Sequence, residues 1–518
     1  MSNTVRDGET SHPMIHRIAA LHSSTNTSGV AHRLQALLES GGLDSAIVRV
    51  PGDVISHMIS PVRLLEILHD RFPDRFAVIV GANEADLGEF WKKLRANAPD
   101  SFSKVANHPA LVGLQPDEWK RVVPLTLHED AGPFIKNRSV HIISWNGLFG
   151  LGGEKVCQWP IATYIKEGPL AADRQRQLWG PILGEFDRLV RDGIGRWRFV
   201  PLFAKGDLEC RSVSWGLASY NAAEPCSECC SNRTTRPFTD LRSAALWRPT
   251  TCATLEAYVG RARAPMHPLL SSAFAWRWFF PLDTMHLLDS NGVMNIVAGG
   301  VLRHLVGDLR LGATRDIRLG VVNARLQAYY NTRPGISRLP ELRLTNLTNA
   351  EGWHVLCGPV VKAANTRKLA PFLVALADEF YAHLDDEYSR CICRLVRCMN
   401  KVYEILYSAS VFLSAAEQGD LRRTLLRFGV TIQRLREMAR ERDIQAWQCT
   451  PKMHMMQHLS DIATCINPRW VQNYSEESHV GTVAKIWNRS AHGSYRPSAQ
   501  RLVLLKRLVS LYIRLGGN

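Results

Sequence analysis

Two aspartates each follow an apolar run rich in β-branched residues. Asp130 ends the run RVVPLTLHED, and Asp207 comes at the end of WRFVPLFAKGD. Carboxylates on neighbouring strands can hold two Mg²⁺ ions about 3.5–4 Å apart, which activate water or a 3′-hydroxyl and stabilise the leaving oxygen. Mg²⁺ prefers such oxygen ligands and keeps water and substrate phosphate in its shell. The pair therefore indicates phosphoryl-transfer chemistry, although an aspartate at a strand end is more often a turn or cap residue.

A second set of residues is a cluster of thiols. Cys226, Cys229 and Cys230 form a CxxCC sequence, with Cys210 before it and Cys252 after it. Thiolates at CxxC spacing can share one Zn²⁺, which takes four ligands in a structural site. Cys210, Cys226, Cys229 and Cys252 are the predicted ligands, with irregular spacing because a second CxxC is missing. The alternative is that these are reduced, partly buried thiols.

Two histidines stand four residues apart in the sequence HMMQH. His454 and His458 would share one face of a helix, as the histidines of the HExxH metalloprotease motif do. Met455 occupies the position of the catalytic glutamate, which excludes a protease of that class. Helix packing, or contacts close to an active site, is the favoured interpretation.

The segment from about 120 to 207 must supply the elements that position the two aspartates. RVVPLTLHED, RSVHIISWNGLF and KVCQWPIATYIKEG are typical of strands, and WRFVPLFAKGDLE of a fourth. Between the third and fourth, apolar residues at helical spacing predict a helix from near Asp173 to the glycines at 193 and 195. The order strand, strand, strand, helix, strand is that of a ribonuclease-H-like core. In such a core the first and fourth strands are adjacent, which brings Asp130 and Asp207 together.

Other parts of the chain frame this segment. Residues 1–32 are polar and predict a flexible tail, and 33–119 predict an α/β accessory region. In that region SAIVRV and RFAVIVG favour strands, whereas VRLLEILHDRF and DLGEFWKKLRA favour helices. The core would comprise 120–215 and 451–518, interrupted by 216–450, a turn-rich and then mainly α-helical insertion.

One helix of the predicted insertion carries a basic face. Its apolar residues recur in steps of four and three from Leu421 to Ala439, so its arginines lie on the opposite side. A solvated face is the ordinary role of such charges. With the basic composition of the chain, Arg423, Arg427 and Arg434 are also predicted to contact nucleic-acid phosphates, an interaction that salt weakens.

Several motifs resemble those of eukaryotic cut-and-paste transposases of the CACTA and hAT superfamilies, including transposon-derived proteins of unicellular algae. VPLTLHEDAGPF resembles the strand with the first aspartate, and GDLECRSVSWGLASYNAAEPCSECCSNR the second-aspartate strand with its cysteine segment. FFPLDTMHLLDSNGV, with Asp283 and His286, resembles the DxMH element. The last acidic segment resembles the ExxxG setting, with Glu477 four residues before Gly481. The resemblance runs from about 120 to the C-terminus.

The resemblance implies a DDE-type transposase that cleaves DNA and joins the freed 3′-hydroxyl to target DNA. Asp130, Asp207 and Glu477 would bind two Mg²⁺ (or Mn²⁺) ions, with Asp283 and His286 in supporting roles. Transposon ends and target DNA are the implied partners, together with a homo-oligomeric state and a nuclear location.

The chain also departs from the family pattern. Glu129 and Ala131 flank Asp130 in place of the expected glycines, and Glu476 stands beside Glu477 as another candidate for the third ligand. Neighbouring helical residues point about 100° apart, so only one of the two glutamates can face the metals. The spacing to Gly481 favours Glu477. The alternative function is a domesticated or decayed relative that binds DNA or protein without catalysis.

Composition sets the outer limits of these hypotheses. The 518 residues include 63 Lys and Arg against 48 Asp and Glu, a formal charge of +15 that favours an anionic partner such as nucleic acid. Twelve cysteines are too sparse for a secreted disulfide scaffold. No Walker loop or dinucleotide fingerprint occurs, and no run approaches the ~20 apolar residues of a membrane span. We expect a soluble intracellular protein, nuclear or cytoplasmic, with reduced thiols.

Overall fold

The structure, a computed structural model, describes residues 27–97, 111–134, 138–151, 154–166, 170–490 and 497–516. Most of the predicted tail, residues 1–26, lies outside these ranges. The prediction of a tail is wrong for its last residues, because the first helix begins at Thr27. Leu34 and Leu38, one helical turn apart, are buried, so this helix has an apolar face that packs rather than a tail's solvated chain.

Strands and helices alternate in the first part of the chain, and helices follow alone after it within the described residues. The strands are β1 (Ile47–Arg49), β2 (His57–Ile59), β3 (Val122–Pro133), β4 (Ser139–Gly147), β5 (Trp159–Lys166) and β6 (Arg198–Lys205). The helices of the first part are α1 (Thr27–Glu39), α2 (Pro61–Arg71), α3 (Pro73–Val80), α4 (Glu84–Asn97), α5 (Glu154–Cys157) and α6 (Ala172–Asp192). Next come α7 (Leu255–Val259), α8 (Thr284–Leu288), α9 (Val293–Gly307), α10 (Arg315–Asn331), α11 (Ala363–Arg367), α12 (Ala370–Phe380) and α13 (Glu387–Ser408). The last are α14 (Ala415–Arg440), α15 (Pro451–Gln457), α16 (Leu459–Ile462), α17 (Tyr474–Ser490) and α18 (Pro497–Arg514). The predicted mixed α/β class is confirmed.

A four-stranded mixed sheet is formed by the described residues between 122 and 205. Its order is β5-β4-β3-β6, with β3 antiparallel to β4 and parallel to β6. The four strands and the intervening helix α6 predicted from the sequence are confirmed. Gly193 ends α6 in a left-handed conformation (φ 68°), and its N–H donates to the carbonyl of Leu189.

The outer edge of β6 is covered by the segment 262–280. The N–H of Ala204 donates to the carbonyl of Phe279 at 2.6 Å, and the Trp276 indole N–H donates to the carbonyl of Leu202 at 2.7 Å. Trp276 is itself buried. These bonds satisfy backbone groups that an open edge strand would leave exposed to another chain.

Helix α17 packs directly on one face of β3. Phe134, which follows β3, and apolar residues of β4 form a core cluster with Val480, Val483 and Trp487 of α17 and Val503 of α18. The approach is close at Gly132, where an added Cβ would lie 2.7 Å from the Cβ of Ala484. Glycine at this position lets the first turns of α17 lie against the strand that carries Asp130.

The segment RFAVIVG is helical, so the strand predicted for it is wrong. Pro73 stands in the first turn of α3, and Gly81 closes the helix with a left-handed conformation (φ 74°). Phe76, Ile79 and Val80 are buried, at helical spacing, whereas Val78 is 45% exposed. Caps and burial on one helix face therefore outweigh the strand preference of the β-branched residues. The strand in SAIVRV and the helices α2 and α4 are confirmed.

The chain divides into two compact units. The first comprises the described residues up to Leu217, Ala262–Phe280 and the described residues from Tyr474 onward; the second comprises Ala218–Arg261 and Pro281–Asn473. The region predicted as accessory, 33–119, lies in the first unit together with the sheet. The second unit is helical in regular structure and includes most of the predicted insertion, but it continues to Asn473. No helix among the described residues is both long and apolar enough to cross a membrane.

Candidate functional site

The two aspartates follow equivalent positions on the parallel strands β3 and β6. The last registered pair of these strands is His128 with Lys205, and Asp130 and Asp207 each stand two residues further along. Asp130 is not at the end of its strand, as predicted, because β3 continues to Pro133 in pairing with β4. What ends before Asp130 is the pairing with β6.

Backbone N–H groups hold one oxygen of each aspartate. Ala131 N–H donates to Asp130 Oδ1 at 2.7 Å, and Cys210 N–H donates to Asp207 Oδ1 at 2.6 Å. Cys210 opens a π-helical turn, Cys210–Ser214, so the Asp207 side chain is fixed by the turn that follows it. Asp130 is buried and Asp207 is half-buried. These bonds orient both carboxylates before any cation binds.

A buried ion pair joins the end of β6 to the first turn of α17. The Lys205 ammonium contacts Glu476 Oε1, and neither side chain is more than 4% exposed. Ser475 Oγ donates to Glu476 Oε2 at 2.6 Å. Burial opposes ionisation of Glu476, but the charges of Lys205 and His128 outweigh it and lower the pKa of this carboxyl. Glu476 is thus held as a carboxylate with an internal cation.

Glu477 lies on the next face of α17 and is half-buried. The buried side of α17 includes Glu476, His479 and Val480 but not Glu477. Glu476, and not Glu477, is therefore the glutamate that contacts the end of β6.

The three carboxylates have the hard oxygen donors that Mg²⁺ prefers. Within the described ranges, the ligand atoms of Asp130, Asp207 and Glu477 are not a group lying within 4.8 Å of one another. A single ion would therefore not contact all three carboxylates in this arrangement.

Basic side chains line the same face of the sheet. His128 Nε2 lies 3.9 Å from Asp130 Oδ2, and Arg507 Nη2 lies 3.3 Å from Nδ1 of His479. Burial and the charge of Arg507 lower the pKa of His479 well below its ordinary value, which keeps the ring neutral. The sequence argument missed these groups. Strand alternation could have found two of them, because His128 and Lys205 stand two residues before the aspartates.

Glu129 faces the opposite side of β3 and joins three elements. It accepts a hydrogen bond from Tyr164 Oη at 2.6 Å and one from Trp215 Nε1 at 2.9 Å, and all three side chains are buried. Burial and the neighbouring Glu129 carboxylate raise the pKa of Tyr164 well above its usual value. Trp215 follows the turn that holds Asp207, so Glu129 links the residue before Asp130 to the turn after Asp207.

A second cluster, in the second unit, contains two cysteines and two histidines. One ligand atom each from Cys226, Cys229, His454 and His458 lies within 4.8 Å of the others, and all four side chains are buried. Cys229 Sγ is 3.2 Å from His454 Nε2. The ring of Trp247 packs edge-on against His454, with 4.3 Å between ring centroids. We call these four residues the Cys/His cluster.

The two thiols of the Cys/His cluster differ in pKa because they share protons with their neighbours unequally. Burial raises the pKa of Cys226, whereas hydrogen bonds from Cys226 and from the histidines lower the pKa of Cys229. Burial of His458 is outweighed by hydrogen bonds to Asp461 and Cys229, which raise its pKa to about 10. The cluster therefore balances a thiolate against an imidazolium. Two thiolates and two imidazoles are a donor set that fits tetrahedral Zn²⁺, whose binding would release those protons.

Two of the four predicted zinc ligands lie in the Cys/His cluster. Cys226 and Cys229 belong to the cluster, but Cys210 lies in the other unit, where its N–H binds Asp207. Cys252 is also outside the group, with its Sγ 3.9 Å from the carbonyl of Ser227.

His454 and His458, expected to be packing residues or residues close to an active site, lie within 4.8 Å of Cys226 and Cys229, so the four side chains could hold one metal ion. The signal was present in the sequence. CxxC and HxxxH are both usual zinc spacings, but they are separated here by more than 200 residues and were considered apart.

Asp283 and His286 form a helix cap in the second unit. Asp283 accepts hydrogen bonds from the N–H groups of Met285 and Asn473, each at 3.0 Å, and His286 contacts its other oxygen. Asn473 immediately precedes α17 in the chain. The pair therefore fixes the start of α8 and the residue before the helix that carries Glu477.

The three arginines predicted to bind nucleic acid have different surroundings. Arg423 pairs with Asp420, and Arg434 pairs with Glu387. Arg427 lines an open groove. Surface pairs of this kind are weak and do not prevent phosphate binding.

Comparison with known proteins gives no match, either among protein-family models or among curated proteins.

Proposed function

We propose that the chain is a transposase-like, metal-dependent enzyme that cleaves DNA phosphodiesters and joins the freed 3′-hydroxyl to target DNA. Its first unit would be a ribonuclease-H-like core, interrupted in the chain by the helical second unit. One observation carries the proposal. The register of β3 and β6 brings Asp130 and Asp207 to equivalent positions on adjacent parallel strands, with α17 packed on the same sheet.

Each residue of the site has a separate task in this proposal. Asp130, Asp207 and Glu477 would hold two Mg²⁺ ions, which supply Lewis acidity for attack on phosphorus and for departure of the leaving oxygen. The backbone bonds from Ala131 and Cys210 keep the aspartates oriented. The pair of Lys205 and Glu476 ties α17 to the end of β6, so that Glu477 starts from a fixed helical turn.

Transposon ends and target DNA are the proposed substrates, and the nucleus is the proposed location. Because two transposon ends must be joined, we also propose that two copies of the chain act together. The charge of +15 would draw DNA towards a small acidic site that metal ions neutralise. The resemblance of the motifs around Asp130, Asp207, Asp283 and Glu477 supports this choice of substrate.

Nicking of supercoiled plasmid in Mg²⁺ or Mn²⁺ tests the proposal. Asp207→Asn should abolish nicking and leave duplex binding intact, because the amide keeps its shape but loses the charge that holds the metal. Asp192→Asn is the matched control, since Asp192 is 61% exposed at the end of α6. Nicking that persists in Asp207→Asn would overturn the proposal. A wild-type chain that binds duplex but never nicks it would instead support the non-catalytic alternative.

A second proposal concerns the Cys/His cluster. We propose that it holds a structural Zn²⁺, because four buried donors of the right type lie within 4.8 Å of one another. A closed set of four protein ligands is typical of structural rather than catalytic zinc. Metal analysis of the purified chain should give one zinc per chain, and a zinc-free chain of unchanged thermal stability would contradict the proposal.

A further inference from the structure

The second unit contains a large basic groove that no part of the proposed active site uses. It has a volume of about 1290 Å³ and is lined mainly by α12, α13 and α14. Among the described lining residues, Glu404 is the single acidic one. The five basic ones are Arg390, Arg394, Arg397, Lys401 and Arg427. We call this surface the basic groove.

The cations of the basic groove are regularly spaced. Arg390, Arg394, Arg397 and Lys401 recur on α13 in steps of four, three and four residues, so they lie along one face of the helix. At 1.5 Å per residue the row extends over ~16 Å. Arg427 contributes from the neighbouring helix α14. All five side chains are exposed.

Two of these cations lack a carboxylate within ion-pair distance among the described residues, namely Arg394 and Arg427. Their charges both act on the thiol of Cys398, where they partly counter the effect of burial on its pKa. Arg394 and Arg427 therefore line the groove near Cys398, one on each of two helices. Arg390 and Arg397 have exposed partners, Asp385 and Asp378, that a stronger anion can replace.

This arrangement fits a repeating polyanion rather than a single small anion. Guanidinium groups bind phosphate oxygens through two parallel hydrogen bonds, and arginine predominates in the groove. A row of ~16 Å corresponds to about five base-pair steps of duplex DNA at 3.4 Å per step.

We propose that the basic groove binds the phosphate backbone of double-stranded DNA, as a site separate from the proposed metal site. The choice of DNA over an acidic polypeptide rests on the proposed function. Backbone contact of this kind positions a protein on DNA and carries no base sequence. The groove would thus contribute affinity that does not depend on sequence or on Mg²⁺.

Salt-dependent binding of a 30-base-pair duplex, followed by fluorescence anisotropy without Mg²⁺, tests the groove. Each lost phosphate contact lowers the slope of log affinity against log salt by about 0.9, so Arg394→Gln/Arg427→Gln should lower it by about 2. Binding in 50 mM salt should weaken by roughly tenfold or more. Arg394→Lys/Arg427→Lys keeps the charge and should keep most of the slope.

Arg422→Gln/Arg440→Gln is the matched control. Both arginines are exposed on α14 and outside the lining of the groove, and their replacement removes the same charge. Equal losses in the two Gln pairs, or no loss in the groove pair, would overturn the proposal. The proposal would also be overturned if the Arg394→Gln/Arg427→Gln change weakened binding of poly-L-glutamate but left duplex binding unchanged. Because no metal is present, the result is independent of whether the chain nicks DNA.

Discussion

The carboxylate site of the first unit and the Cys/His cluster of the second compensate their charges in different ways. Around Asp130 and Glu476 the protein supplies its own cations, Lys205 and His128. In the Cys/His cluster the donors share protons mainly among themselves, and Asp461 adds to the charge on His458. The cluster is therefore the more dependent on a bound ion. We expect the carboxylate site to remain folded without a bound ion, because the Lys205 ammonium already compensates Glu476.

The two sites also differ in the spacing of their ligand atoms. The four ligand atoms of the Cys/His cluster lie within 4.8 Å of one another, a distance that one ion can satisfy. The ligand atoms of Asp130, Asp207 and Glu477 do not form such a group among the described residues. Removing one zinc ligand should therefore disturb folding, whereas removing one carboxylate should disturb chemistry first.

The largest effect is expected from Cys226→Ser/Cys229→Ser. Loss of both thiolates should reduce zinc from one per chain to none, because hydroxyls are poor zinc ligands. Structural zinc contributes ~10–16 kcal/mol of apparent binding free energy in small zinc domains. Even a third of that, at about 2–4 °C per kcal/mol, should lower the melting temperature by at least ~7 °C. Zinc analysis and thermal unfolding measure both changes.

Cys252→Ser is the matched control for the zinc ligands. Its thiol is buried and close to the cluster in sequence, but it is not a member of the ligand group. Full zinc content in Cys252→Ser is expected. Loss of zinc in Cys252→Ser as well as in Cys226→Ser/Cys229→Ser would instead support the ligand set predicted from the sequence.

Lys205→Met should be the most destabilising change in the carboxylate site. It leaves Glu476 buried without its cation, and breaking one side of a buried pair costs about 3–5 kcal/mol. Chemical denaturation measures the free energy of unfolding. Lys93→Met, which breaks an exposed pair with Glu89, should cost less than about 1 kcal/mol. Equal costs in the two variants would show that the Lys205 pair is not a buried link.

Glu129→Gln should lower the free energy of unfolding by a smaller amount, about 1–3 kcal/mol. The Gln amide nitrogen is a donor and would face one of two groups that also donate, so one hydrogen bond is lost. Those groups are the Tyr164 hydroxyl and the Trp215 indole N–H. Adding Tyr164→Phe to Glu129→Gln should cost less than the two single changes together, since they share one bond. Strict additivity in urea unfolding would contradict the link.

The smallest effect is a pH dependence at His479. Its pKa is lowered in the fold by burial and by Arg507, so below its ordinary value of 6.5 the unfolded chain binds the extra proton. The free energy of unfolding must then fall as pH falls, by about 1.4 kcal/mol per pH unit for this group. Between pH 6.5 and 5.5, where the unfolded histidine is still only partly protonated, His479→Gln should reduce the fall in the free energy of unfolding by about 1 kcal/mol. An unchanged slope would mean that His479 is protonated in the fold.

The sheet was predictable from the sequence because its strands are long, apolar and separated by clear turn signals. Helix α6 and the buried face of α14 were predictable from their spacing. The helix formed by RFAVIVG was not predictable, because its β-branched residues favour a strand. Its helical state depends on Pro73, Gly81 and burial of one face.

In the candidate sites, too, residues set by local sequence patterns were predictable and those set by tertiary packing were not. Asp130 and Asp207 follow from local strand patterns, and the strand register that brings them together follows from the predicted order. The pairing of Lys205 with Glu476 joins residues 271 positions apart, and the Cys/His cluster joins residues more than 220 apart. Only tertiary packing decides such partners, so spacing alone could name the residue types but not the groups they form.

Binding of Mn²⁺ by electron paramagnetic resonance tests the central claim most directly, because Mn²⁺ takes the same oxygen ligands as Mg²⁺. The wild-type chain, with its zinc in place, should bind two Mn²⁺ ions whose spectra show magnetic coupling at a separation of about 3.5–4 Å. Asp130→Asn and Asp207→Asn should each lose the coupled signal, while Asp192→Asn keeps it. A coupled signal that survives both substitutions, or no Mn²⁺ bound by the wild-type chain, would contradict the account.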